Sequence, residues 1–439
     1  MAAPAGLVAA GGSDPRLPPR RGLAVTPADG SDAGLRRRAE RALDWLSILL
    51  SDVRYGLGAY LGVYLLTEHG WDEAGIGLAL SLGGLSGLLA QAPLGAFVDW
   101  VRAKRALLAV CVLVVTAACL AIPLAPRFWP VALAGVVGSL AGCMITPALA
   151  AISLGVVRQA RFARRAGRNE ALFHLGNAGI NLIILLGAGA FGPPLLFWLM
   201  AATGLASAAA SFAIPRAAID LDAARGLEPG AGPCPSPWQV LAGSRPLLVF
   251  ALCGALFHFA NGAMLGLVAQ LLARQNAGQG LAFTAACAIA AQATMVPMAW
   301  LASRKADGWG RRPLLLLAFA ALALRGWLYT WSHEAPWLIA VQLLDGIGAG
   351  LIGALYPVVI ADLTRGTGHF AAAQGAVGTI HGTGGILSGA VAGMVVVSAG
   401  YDVAFLMLAG SAALGGLLFW GLMPETKDSP ACAVPAVAA

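Results

Sequence analysis

The sequence predicts an all-α integral membrane protein of twelve transmembrane helices, arranged as two pseudo-symmetric six-helix bundles. Three observations lead there. Hydrophobic residues make up 59% of the 439 residues and charged residues only 11%, with a mean hydropathy of +0.77, whereas an ordinary soluble domain is about 25% charged. The apolar residues fall in blocks of about 20 separated by short polar breaks, the length a helix needs to cross ~30 Å of hydrocarbon. Landmarks in the first half of the chain also recur, in the same order, in the second.

Residues 1–42 are rich in Gly, Pro, Ala and Arg and lack the apolar core and cleavage site of a signal peptide, so they are expected to be a disordered cytoplasmic segment. The first bundle, 43–214, holds spans at 43–66, 74–98, 105–124, 128–155, 170–191 and 194–214. A cytoplasmic linker at 215–245, with Pro229, Pro233, Pro235 and Pro237, separates it from the second bundle, 246–423. There the spans are 246–272, 281–302, 313–332, 336–361, 370–398 and 402–423, followed by a cytoplasmic tail at 424–439. The apolar runs are continuous rather than alternating, and in lipid only a helix satisfies its backbone hydrogen bonds within one segment.

All but four of the 28 Lys and Arg lie before span 1, in the loops 2–3, 4–5, 6–7, 8–9 and 10–11, or in the tail. The opposite loops hold Arg127 and Arg274, while Arg54 and Arg325 lie inside spans. The positive-inside rule therefore puts both termini in the cytoplasm. Topology thereby explains the net charge of +7, and these residues border spans instead of forming the single basic patch of a nucleic-acid surface. The seven cysteines show no CxxC pairing and fall mostly within spans, so no metal or redox role is assigned. P-loop, HExxH and GxSxG motifs are absent, which argues against an ATP-driven pump, a membrane protease or a lipase. Gly346 to Gly350, inside a span with no preceding strand, reads as close helix packing rather than a dinucleotide loop, and no cofactor is expected.

Gly58-Ala59-Tyr60-Leu61-Gly62 in span 1 matches Gly262-Ala263-Met264-Leu265-Gly266 in span 7. At nearly the same separation, Asp99 after span 2 matches Asp307 after span 8, and Pro147 in span 4 matches Pro357 in span 10. Two halves of the same orientation make a parallel repeat, the plan of a large class of transporters whose central site lies between the halves.

The same residues carry a family resemblance. Ser303 to Arg312, SRKADGWGRR, resembles the GxxxDxxGRR signature of the major facilitator superfamily. Asp307, Gly310, Arg311 and Arg312 match it, and Ser303 replaces the leading Gly. The first-half copy, GAFVDWVRAKR, keeps Gly95, Asp99 and the basic pair Lys104 and Arg105, but has Arg102 at the glycine position and one extra residue. LLDGIGAG and ADLTRGTG, within 343–368, further resemble uncharacterised bacterial permeases of that superfamily. The resemblance implies a secondary transporter in a bacterial cytoplasmic membrane, with spans 1, 4, 7 and 10 lining the cavity. It also implies a cytoplasmic gate, with Asp99 near the start of span 11 and Asp307 near the start of span 5. There a helix N-terminus would favour a carboxylate by about 0.3 to 1 kcal/mol. The alternative for these residues is solvated loop charge.

Charges inside the membrane are costly and need a partner or an aqueous cavity. At 1.5 Å per residue, Asp52, Arg54, His258, Arg325 and His381 sit roughly 14 to 18 Å from the cytoplasmic ends of their spans, with Asp345 near the same level. Asp52, Arg54, His258, Asn261, Asp345 and His381 are the candidate substrate or proton site. Arg54 and His258 are repeat-related, which resembles the paired basic residues of the superfamily's organic-phosphate exchangers and would favour an anion. Asp52, about 200° around the helix from Arg54, is a candidate proton carrier. Arg325 and Asp345 on adjacent spans also fit a structural ion pair. Interhelical hydrogen bonding is the alternative for His381, Asn261, Gln292 and Gln374, and His174 is expected at the cytoplasmic rim.

The expected function is secondary active transport of a small molecule by alternating access, coupled to protons, with export as one direction the sequence leaves open. The alternatives are an organic-anion exchanger or uptake permease, a facilitator, or a non-transporting receptor or assembly factor on the same fold. The lipid bilayer is the expected surrounding and no nucleic acid is a partner; a monomer is compatible with all of this.

Overall fold

The computed structural model describes residues 30–54, 58–227, 240, 243–275 and 280–427. Among them every regular element is an α-helix or a short 3-10 turn. Span 1 is α1 (Gly30–Val53) continued by α2 (Gly58–His69). Spans 2 to 6 are α3 (Glu73–Trp100), α4 (Lys104–Ala121), α5 (Phe128–Val157), α6 (Gln159–Phe191) and α7 (Pro194–Ala213). In the second half α8 (Arg245–Gly262) and α9 (Met264–Gln275) form span 7, followed by α10 (Gly280–Trp309) and α11 (Arg311–Leu328). Span 10 is α12 (Ala335–Val341) with α13 (Leu343–Leu363), and spans 11 and 12 are α14 (Phe370–Ala399) and α15 (Tyr401–Leu422).

Nine stretches among the described residues are long and apolar enough to cross a bilayer on their own. Span 9 falls short because α11 carries Arg311, Arg312 and Arg325 within its 18 residues.

Helix pairing repeats between the halves. Span 1 packs on 5 and 6, 2 on 4, and 3 on 4 and 6; correspondingly 7 packs on 11 and 12, 8 on 10, and 9 on 10 and 12. α3 and α10 each contain a proline, Pro93 and Pro297, as do α5 and α13, Pro147 and Pro357. The glycines of span 10 let it lie against span 8: a Cβ on Gly346 would collide with Thr294, and one on Gly350 would stand 2.7 Å from the Met295 carbonyl oxygen.

Two expected boundaries move. Residues 30–42 belong to α1 instead of a disordered lead-in, with Ala39 and Ala42 buried. Arg165 and Arg168 of α6 both pair with Asp44, at 2.7 and 2.6 Å, and Arg165 donates to the Glu40 carbonyl. Likewise α6 starts at Gln159 rather than near 170. In both cases a charged helical end extends past the membrane without a hydropathy signal, held by ion pairs between two such ends. The remainder of the expected lead-in, 1–29, lies outside the described residues, as do 228–239 of the linker and 428–439 of the tail.

The halves meet through spans 2 and 11 and through span 5 with spans 8 and 10. Gly95 and Gly375 are pressed against the backbones of Ala371 and Gln91, and a Cβ on Gly167 would stand 2.6 Å from Ser303 N. Contact between spans 2 and 11 continues to Leu88, whose carbonyl accepts from Thr379 and whose side chain lies against Gly382. Beyond that level Gly77 and Gly84 of α3, and Gly385, Gly389 and Gly393 of α14, have nothing within 4 Å of an added Cβ. The two halves are thus closed together at the end that carries the chain termini.

Candidate functional site

Arg54 follows the last residue of α1. Its Nη1 donates to Glu170 Oε2 of α6 at 3.3 Å, and its guanidinium carbon lies 4.5 Å over the Phe173 ring. Glu170 Oε1 in turn faces His174 Nε2, one turn along, at 3.5 Å. His174 Nδ1 is 2.9 Å from Gln292 Oε1 of α10, and Gln292 Nε2 donates to Asn177 Oδ1 at 2.9 Å. Asn181 Nδ2 donates to the same Asn177 oxygen at 2.9 Å. One connected polar chain therefore runs from span 1 through span 5 to span 8 of the other half. Span 10 closes it from the side: a Cβ on Gly353 would stand 2.6 Å from Glu170 Oε1. A cavity of ≈40 Å³ adjoins, lined by Arg54, Thr146, Asn169 and Glu170 from one half and by Gly353 and Pro357 from the other, room for two or three water molecules at about 10 to 15 Å³ each.

The hydrogen-bond order has a chemical consequence. Gln292 uses its amide nitrogen on Asn177, so its oxygen is left to accept Nδ1–H of His174. Nε2 of His174 faces Glu170 Oε1 at 3.5 Å and makes no hydrogen bond among the described residues. His174 lies fifteen residues into α6, which begins at Gln159.

The repeat-related cluster in the second half is aromatic and imidazole-based. His258 of α8 and His381 of α14 lie with ring centroids 5.1 Å apart, and Tyr356 and Phe250 flank His381 at 5.4 and 5.7 Å. His381 lies over Gly254, where no larger residue fits. His381 Nε2 and both side-chain polar atoms of Gln374 are buried without a partner among the described residues.

The remaining intramembrane candidates are placed elsewhere. Asp52 turns to span 6 and accepts from Thr203 at 3.0 Å, on the side of α1 away from Glu170. Asp345 and Arg325 meet at 2.7 Å, with Arg325 only 1% exposed. Arg325 also donates to Asn261 Oδ1 at 2.5 Å, to Tyr329 at 3.0 Å and to Gln342 at 3.0 Å. Gln342 Nε2 completes the ring by donating to Asp345 at 3.1 Å. Asp345 and Asn261 are thus occupied by Arg325 within the second half and do not join Arg54.

At the closed end, Asp99 is 3% exposed and accepts from the backbone N–H of Ala371 and Ala372 at the start of α14. Lys104 donates to the carbonyls of Val98 and Asp99, and Arg105 to those of Phe212 and Ile214. Asp307 does not mirror Asp99. Its side chain is 47% exposed and accepts from Arg311 one turn on, at 3.1 Å. The reason is where the partner helix begins: α14 starts at Phe370 and leaves its first amides free, whereas α6 starts two turns before Gly167, which faces Ser303. The near neighbour of span 5 is Ser303, donating to the Arg164 carbonyl at 2.7 Å. Arg311 also pairs with Asp362 at 3.0 Å, and Asp362 accepts from Gln159 of the other half at 2.7 Å. Gly310, at φ 91°, turns the chain so that Glu425 caps α11 through the N–H groups of Arg311 and Arg312, at 2.8 and 3.0 Å.

Glu170, Asn177, Asp362 and Glu425 were not among the residues singled out in the sequence. For the first two a signal exists: Glu170, His174, Asn177 and Asn181 recur at spacings of four, three and four, one polar face of a helix. All four lie within the expected span 170–191, a polar face that its mean hydropathy does not reveal.

A family model described as Major Facilitator Superfamily matches residues 45–306 and 251–437. Over 403 residues the chain is 48% identical to an uncharacterized MFS-type transporter of Mycobacterium tuberculosis, the match spanning 91% of this chain and 96% of that one. The multidrug resistance protein fnx1 of Schizosaccharomyces pombe is 32% identical over 109 residues, 24% of this chain and 20% of that one. Among solved structures, the human organic anion transporter MFSD10 superposes with a TM-score of 0.68 at 17% identity, over 88% of this chain and 99% of that one. The proton:xylose symporter XylE superposes with 0.70 at 11% identity, over 90% and 97%. Two matched halves, a relative aligned almost end to end and the shared fold agree: the chain belongs to the Major Facilitator Superfamily and is a multi-pass membrane transporter of that family.

Proposed function

We propose that the protein is a proton-coupled secondary transporter of a small organic anion, working by alternating access. The observation that carries this reading is Glu170, held between Arg54 and His174 against Gly353 of the opposite half. With Glu170 ionised, Arg54 is neutralised internally and the junction is closed. An anionic substrate that takes Arg54 leaves Glu170 without its cation, and a carboxylate in that position gains a proton. Substrate and proton are then bound together and cross together. His174 is the route by which the proton reaches or leaves Glu170. The positive-inside rule gives the orientation, both termini cytoplasmic in a bacterial inner membrane, so the closed end is the cytoplasmic one.

The organic anion reading draws on Arg54 over Phe173, a cation with an aromatic face beside a central cavity. That a structural neighbour, human MFSD10, is an organic anion transporter is in line with it. Export by proton antiport is the competing reading, in which the proton and the substrate alternate on the site. Proteoliposomes decide between them. Under an imposed pH gradient, a panel of carboxylate and phosphate-ester compounds is tested for accumulation. Co-transport gives accumulation on the alkaline side; antiport gives it on the acidic side; no response to pH would remove the coupling.

A further inference from the structure

At the end of the bundle that carries the termini, a second cavity of ≈470 Å³ opens where spans 3 and 6 leave the membrane. Arg102, Lys104, Arg105 and Arg216 line it, and among the described residues no acidic side chain does. The hydrogen bonds of the two inner cations go to carbonyl oxygens: Lys104 to Val98 and Asp99, Arg105 to Phe212 and Ile214. Arg102 and Arg216 are exposed at the rim. Four cationic groups around one cavity repel one another and concentrate positive potential there, which an anion relieves. Arginine is suited to a phosphate oxygen pair in geometry as well as in charge.

The surroundings are those of a lipid rather than of a soluble anion. Trp100, 75% exposed, stands at the same end, and tryptophan favours the headgroup level of a bilayer. From the cavity an apolar strip runs along both helices. On α4, Ala106 lines the cavity and Val110 and Leu113 follow on the same face, 57% and 41% exposed; on α7, Phe212 lines it and Leu205 follows, 56% and 62% exposed. Since α4 and α7 pack on each other, this exposed apolar strip adjoins the cavity on both helices. We propose that this cavity holds the phosphodiester headgroup of an anionic phospholipid, with its chains along α4 and α7. The bound lipid would brace the turn that carries Asp99, because Lys104 grips the carbonyls of both Val98 and Asp99.

The full chain in detergent is mixed with phosphatidylglycerol, with phosphatidylcholine of the same chains, or with glycerol 3-phosphate. Retained ligand is read by native mass spectrometry and the melting temperature is followed in parallel. Phosphatidylglycerol is expected to be retained at least tenfold better than phosphatidylcholine and to raise the melting temperature, with glycerol 3-phosphate doing neither. Arg102→Gln with Arg216→Gln should lower phosphatidylglycerol retention about tenfold, while Arg304→Gln with Lys305→Gln, exposed cations near the end of α10, should leave it unchanged. Should the first pair not fold, Arg102→Gln alone carries the test, with a smaller loss expected. Equal retention of the two lipids, equal loss in the control pair, or glycerol 3-phosphate acting as strongly as the lipid would each overturn the proposal.

Discussion

Asp99 and Ala372 join the two halves of the transporter: one carboxylate oxygen accepts the Ala372 N–H at 2.8 Å, while the other takes Ala371 at 3.0 Å. Hydrogen bonds to a charged group contribute about 1.5 to 3 kcal/mol each, and 1.4 kcal/mol is a tenfold change in an equilibrium. Asp99→Asn, which loses the charge and one acceptor, is expected to shift the closed end toward opening by tenfold or more. Spin labels on the loops 101–103 and 364–369 would report it as a longer distance population. Asp307→Asn, at a half-exposed carboxylate bonded to Arg311, should leave the distribution close to that of the unaltered protein. Equal effects of the two changes would refute the asymmetry.

That asymmetry shows what the sequence could and could not convey. The second copy of the signature matches the family pattern better, yet only the first sets its aspartate against a helix start of the other half. The pattern records residue types, whereas the contact depends on where the partner helix begins. Span positions were legible because hydropathy reports burial in lipid. The starts of α1 and α6 were not, since a charged helical end held by Asp44, Arg165 and Arg168 looks like a loop in composition. Arg54, Asp345 and Arg325 stood out as charges in apolar runs. Glu170 did not, because it opens span 5 directly after the basic run 158–168, and Asn261 revealed its partner Arg325 only in three dimensions.

Arg325 and Asp345 supply a test of a different kind. Removing one partner of a buried ion pair leaves an uncompensated charge, a penalty of about 3 to 5 kcal/mol. Arg325→Met alone and Asp345→Asn alone are each expected to lower the amount of folded protein in the membrane sharply. The double change should recover part of it, although Asn261 and Gln342 would still lose a donor. Melting curves on detergent-purified protein make the comparison, and strictly additive losses would show that the two side chains do not act as a pair.

Topology is open to direct chemical test. Single cysteines placed at Glu334 and at Trp71, in loops poor in basic residues, are expected to react with an impermeant maleimide added to whole cells. Cysteines at Arg164 and Arg304, exposed on the basic ends of α6 and α10, should react only after the membrane is opened. The opposite pattern would place the closed end outside and invert the proposed transport cycle.

Two carboxylates, Glu170 and Asp52, compete for the coupling proton. Glu170 has a cation at 3.3 Å, an imidazole at 3.5 Å and the opposite half against its oxygen. Asp52 has a hydroxyl donor from span 6 and lies within one half. Glu170→Gln keeps the shape and a hydrogen-bond acceptor for Arg54 but cannot release a proton. It is expected to abolish accumulation driven by a pH gradient while substrate exchange across the membrane continues at a substantial fraction of the original rate, since exchange needs no net proton movement. Asp52→Asn should retain gradient-driven accumulation within a few-fold, with any loss shared by exchange and traceable to protein amount, because its role through Thr203 is to hold spans 1 and 6 together. The deciding measurement sets gradient-driven uptake against exchange for both variants at equal protein per vesicle. If Asp52→Asn were the one to lose pH-driven uptake while keeping exchange, the proton would belong on span 1 facing span 6, and Glu170 would become the structural partner of Arg54.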